Sequence, residues 1–167
     1  MVLTKTELIG QLEHEINILL HLVSKVEATM LDYRPTPGQR SLLELLRYMT
    51  IFGPIHLRTI CAGVWEMDPW RNAWQTEEAA ANARILEEIR DEIGRQRALF
   101  AGLLGSLSDA ALREEMQMFG RKQSRGSWLV RMVLSHYVAY RMQLFLYLKA
   151  CGLRDLSTMN LWAGMDA

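Results

Sequence analysis

Apolar residues recur along most of the chain at steps of three and four, the spacing that gathers side chains on one face of an α-helix. In the first run Leu8, Leu12, Ile16, Leu19, Val23, Val26 and Met30 share a face behind a Thr4–Glu7 capping box, which predicts a helix reaching about Met30. His14 and His21 fall on the opposite face, two turns or ~10 Å apart, too far for one ion, and are read as solvent-facing. Residues 32–39, DYRPTPGQ, stop the helix, because the residue before each proline is pushed out of helical geometry. Ser41 and Glu44 form the next capping box, and Leu42, Leu45, Met49, Phe52, His56 and Ile60 trace the buried stripe of a second helix. Gly53 and Pro54 interrupt its middle, where proline removes a donor and crowds the preceding turn, so a kink is expected.

Residues 62–75, AGVWEMDPWRNAWQ, lose this periodicity and read as a long crossover rather than a tight turn. Trp65, Trp70 and Trp74 are placed there as a lid over one end of the bundle, with the lining of a ligand mouth as the alternative. Thr76, Glu77 and Glu78 open a third helix with core positions Leu86, Ile89, Ile93, Phe100, Leu103 and Leu107. Residues 108–116 are expected as a short capped helix and residues 119–127, FGRKQSRGS, as a loop into the last helix. Arg121, Lys122, Arg125 and Arg131 gather positive charge there. That is either a solvated basic loop or, beside a helix N-terminus, a seat for a carboxylate or phosphate. The last helix centres on residues 135–149, SHYVAYRMQLFLYLK, with Val133, His136 or Tyr137, Tyr140, Leu144, Tyr147 and Cys151 on one face. It ends at Gly152 and continues as an extended tail carrying Trp162.

Within that helix, His136-x3-Tyr140-Arg141-x-Gln143-Leu144-x-x-Tyr147-Leu148 resembles the last-helix signature of the DinB-like superfamily, whose usual form has histidine at both of the first two positions. The resemblance implies an all-α four-helix bundle, with a long crossover between helices 2 and 3, as a single domain over residues 1–167, and a homodimer. It also implies a first metal histidine seven positions past the capping Ser41, and that position is Tyr48. The ligand places thus map onto Tyr48, His136 and Tyr140, and only His136 keeps its imidazole. A neutral phenol with a pKa of about 10 is a poor ligand for zinc or nickel. A degenerate metal site and no cofactor are therefore expected, with zinc or nickel as the alternative. His56 lies two turns beyond Tyr48, roughly 12 Å along the axis, so a site rescued by it would be a different site.

Composition narrows the function further. A half-apolar chain of 167 residues suits one globular domain. Nineteen basic residues against nineteen acidic ones give no global field that recruits nucleic acid or an anionic membrane. The N-terminus lacks a secretory pattern and no long apolar segment occurs, so a cytoplasmic protein is expected. Cys61 and Cys151 have no CxxC partner and read as buried reduced thiols.

Three classes of function remain. The first is a metal-free bundle with a small-molecule pocket formed by Tyr48, Phe52, His56, His136 and Tyr140. The second is a metal-dependent thiol transferase or hydrolase of the DinB-like type. The third is a metal-free acid/base enzyme with His136 as the candidate catalytic base and a tyrosine as proton donor. Against all three stands the reading of His56 and His136 as hydrogen-bonded core residues.

Overall fold

The computed structural model describes residues 3–166; Met1, Val2 and Ala167, the ends of the expected domain, lie outside the described residues. Its first helix, α1, spans Lys5–Ser24, and the Thr4–Glu7 box is formed, with the Glu7 carboxylate accepting from the Thr4 N–H at 2.7 Å. It stops a turn and a half short of Met30. The Arg90 guanidinium donates to the carbonyls of Val23 and Val26, and the Ser24 hydroxyl donates to His21, so the closing carbonyls bond side chains. Val26 and Met30 remain buried through a short 3₁₀ turn over Ala28–Met30, which explains why their spacing reads as helix.

Helix α2, Leu42–Ala62, continues as one helix past Pro54 and ends at Gly63, whose positive φ of 74° suits glycine. Pro54 has no N–H to give the Thr50 carbonyl. The side-chain amide of Gln96 takes that role, donating to Thr50 O at 3.2 Å and to Met49 O at 3.0 Å. Its own carbonyl accepts from the buried Tyr137 hydroxyl. Tyr137 reaches this point because residue 53 is glycine; a Cβ there would collide with the phenol.

The crossover is itself helical. Helix α3 spans Met67–Ala83, with Pro69 in the first turn, where its missing donor costs little. The third core helix, α4, therefore starts not at Thr76 but at Leu86, and it runs to Gly105 with Glu88 accepting from the Ile85 N–H. Trp70 and Trp74 lie along the flank of α2, against Ile51, Ile55 and Ala81, rather than only across one end of the bundle.

After the short helix α5, Asp109–Arg113, the chain forms an antiparallel hairpin, β1 (Glu115–Met118) and β2 (Arg121–Ser124), where a helix end and a loop were expected. Met116 and Met118 alternate inward, a period of two hidden in four residues. Phe119 and Gly120 make the tight turn with φ of 48° and 74°, and the Phe119 ring packs on Trp65 and Trp70.

The last helix is built from α6 (Arg125–Leu129), a π-helical turn over Val130–Leu134, and α7 (Ser135–Ala150). It packs on α1 and α2, as does α4, giving an all-α bundle of four long helices with α3 laid on α2. The expected extended tail contains a further short helix packed on α1, helix α8, Thr158–Trp162. His14 is exposed, as expected, and His21 is half-buried; both also reach this tail. His14 Nε2 lies 3.1 Å from the Trp162 carbonyl, and His21 Nε2 lies 3.1 Å from the Asn160 amide. Beneath the tail, Arg141 and Glu15 form a buried ion pair at 3.1 Å, with the guanidinium under the Trp162 ring.

Replacing Gln96 with leucine is expected to cost about 2–4 kcal/mol in denaturant unfolding, because Thr50 O and the Tyr137 hydroxyl both lose their buried partner. Tyr137→Phe should then cost less in the Gln96→Leu background than in the parent. Equal costs in the two backgrounds would show that the hydrogen bond is not shared as described.

Candidate functional site

Three helices bring aromatic side chains together at one-turn spacing. Helix α2 presents Tyr48, Phe52 and His56, the last helix presents His136 and Tyr140, and α3 presents Trp70 and Trp74. All five residues expected around a pocket are thus in one cluster. Tyr140 lies 5.0 Å from Tyr48 and 5.5 Å from Phe52 by ring centroids, while His136 lies 5.8 Å from Phe52 and 5.9 Å from His56. The cluster therefore has a tyrosine end and a histidine end. His56 is far from Tyr48 along α2, as its spacing requires, yet it stands beside His136.

The ring nitrogens set the chemistry of the histidine end. His136 Nδ1 lies 3.2 Å from the Arg131 carbonyl in the π-helical turn. A carbonyl only accepts, so Nδ1 carries the hydrogen and a neutral His136 keeps its lone pair on Nε2. His56 is 4% exposed, and its Nδ1 is buried without a hydrogen-bond partner. Burial, with a smaller contribution from His136, pushes its pKa down to about 4, so the ring is neutral at pH 7. Trp70 and Trp74 close over it at 6.0 and 5.8 Å.

At the tyrosine end, burial first and the neighbouring Tyr140 phenol second raise the Tyr48 hydroxyl well above its ordinary value. The Arg40 guanidinium sits 4.0 Å from the Tyr48 ring centroid. Arg40 is held from below by the signature itself: Gln143 donates to the Tyr147 hydroxyl at 2.7 Å, and that hydroxyl donates to the Arg40 carbonyl at 3.0 Å. A cavity of about 230 Å³ adjoins Tyr48, with Arg40, Arg47 and Glu78 on its walls.

Metal-binding chemistry is poorly served by these donors. Among the described residues no group of three or more His, Cys, Asp or Glu side chains comes together to hold an ion. Cys61 and Cys151 are half-buried and free, and burial raises the Cys61 thiol to about 11. The basic loop is also partly neutralised. Lys122 pairs with Glu115 at 2.7 Å and Arg125 with Glu114 at 2.8 Å.

Gln96 and Tyr137 were not singled out by the sequence reading as a pair. Gln96 falls three positions after Ile93 and four before Phe100, and a polar residue at a core position is the signal that points to it.

His56 supplies a direct titration test. Its depressed folded-state pKa means that the unfolded chain binds a proton first, so stability is lost as pH falls from about 6.5 toward about 4 and no further below. The loss attributable to His56 is at most about 3 kcal/mol. Nuclear magnetic resonance of the ring protons should show a midpoint near 4. A midpoint at the ordinary histidine value would contradict the burial described.

No protein-family model matches the chain, and no curated protein matches it. Among solved structures it is similar to the crystal structure of a DinB-like protein, YjoA, from Bacillus subtilis, with a TM-score of 0.67 and 17% identity over 90% of this chain and 94% of that one. No helix among the described residues is long and apolar enough to cross a membrane. The chain has the DinB-like all-α bundle fold, with tyrosines at positions 48 and 140 beside His136.

Proposed function

We propose that this DinB-like bundle binds a small organic molecule without a metal ion, at the cluster of Tyr48, Phe52, His56, His136 and Tyr140. The observation that carries the reading is the orphaned His56 Nδ1, buried among aromatic rings beside His136. Buried polar atoms are rarely left unpaired, and a bound polar group is one way to satisfy such an atom. The ring walls favour an apolar, flat body, while the neutral His56 imidazole and the phenols offer hydrogen bonds rather than charge.

The metal-dependent transferase or hydrolase is the second reading, and one observation favours it: His56 and His136 come from different helices and face each other at 5.9 Å. Two imidazoles are nevertheless one ligand short of a usual catalytic site, and the phenol at position 48 holds its proton more firmly than a free tyrosine. The donor set does not fit the three-imidazole site that the resemblance implies. The same raised phenol makes Tyr48 a weak acid for proton transfer, which counts against the acid/base enzyme.

Elemental analysis of untagged protein after incubation with zinc or nickel and dialysis separates the readings. Far less than one ion per chain is expected, together with a small molecule that native mass spectrometry finds on the parent and not on His136→Ala. One ion per chain, lost in both His56→Ala and His136→Ala, would replace the proposal by the metal reading.

A further inference from the structure

We propose a second site, for a single-headed organic anion with an apolar body, in the cavity where α1, α5 and the start of the last helix meet. The cavity measures about 810 Å³, within the range of small-molecule sites, and is separate from the aromatic cluster. Its apolar lining comes from Leu3, Leu8, Leu112 and Val130, which arrive from different elements and leave a space that none of them fills.

Charge selects the occupant. Lys5 lines the cavity but is committed elsewhere, donating to the carbonyls of Leu107 at 2.7 Å and Gly105 at 3.3 Å at the end of α4. Arg113 and Arg131 also line it, and neither forms an ion pair among the described residues. The Arg131 guanidinium lies over the Trp128 ring, 5.8 Å from its centroid. Asp109 is the one acidic residue on the lining. Two arginines outside any ion pair thus share the lining with one carboxylate and four apolar side chains, and guanidinium pairs well with a carboxylate or similar oxyanion.

The basic residues of the loop divide accordingly. Glu114 and Glu115 neutralise Arg125 and Lys122, while Arg131 is carried onto the cavity by the π-helical turn. Val130 and Arg131 of this turn and Ser135, the first residue of α7, line the cavity, and His136, the next residue, joins the aromatic cluster. Such turns often mark functional sites in helices.

Isothermal titration calorimetry with decanoate, kept below its micellar concentration, tests the site. Decanoate should bind the parent one to one, and the exposed-residue double variant Arg113→Gln/Arg131→Gln should weaken it by about tenfold or more. Decanol should bind more weakly than decanoate by a similar factor. Val130→Trp, which fills the cavity from an exposed position, should abolish binding, while Arg121→Gln, an exposed arginine of the neighbouring hairpin that does not line the cavity, should leave it unchanged. No binding to the parent, equal affinity in the arginine double variant, or loss of binding in Arg121→Gln would each overturn the proposal.

Discussion

A single side-chain amide joins the parts of this bundle that would otherwise be in conflict. Pro54 strips the Thr50 carbonyl of its helical donor in the buried middle of α2, and Gln96 of α4 replaces that donor. The same amide binds Tyr137 of the last helix, which needs glycine at position 53 to come so close. An unpaired carbonyl in this core would cost a large part of a typical folding free energy. The repair fixes the rotation of the last helix against α2. With Tyr137 aimed at Gly53, its neighbour His136 is brought against Phe52 and His56, and Tyr140 against Tyr48.

The aromatic cluster is consequently a place of neutral groups. His56 is buried into its uncharged form, and the Tyr48 phenol is buried away from its phenolate. Charge is kept at the edges: Arg40 lies over one ring, and the Glu15–Arg141 pair sits under the C-terminal tail. A buried ion pair of this kind contributes little net stability, but removing one partner would leave the other unpaired. The signature residues around His136 therefore have mixed duties. Arg141 and Gln143 hold the tail and Arg40 in place, while positions 136 and 140 face the cluster.

Much of the fold was legible because its long helices carry strong signals. The boxes at Thr4 and Ser41 formed as read, and the stripes of α1 and α2 are buried. The end of α1 was misread because Val26 and Met30 stay in the core through a different backbone path. Helix α3 was hidden because it packs on the outside of α2 and buries little, so its tryptophans and proline resemble a loop. The hairpin is too short for alternation to stand out, and its turn places Phe119 at a positive φ that few sequences announce. At the site, the residue types of α2 and the last helix were readable, but the meeting of His56 with His136 was not. That distance depends on how two helices are set against each other, and the contacts that set it, Tyr137 on Gly53 and Gln96, join residues far apart in sequence.

The claim that this cluster is a metal-free binding site is tested most directly by crystals of untagged protein grown at neutral pH after zinc incubation, with diffraction recorded at the zinc edge. The account predicts no anomalous peak between His56 and His136, and density for a non-metal group in contact with His56 Nδ1. An anomalous peak bonded to both imidazoles at about 2.1 Å would contradict it.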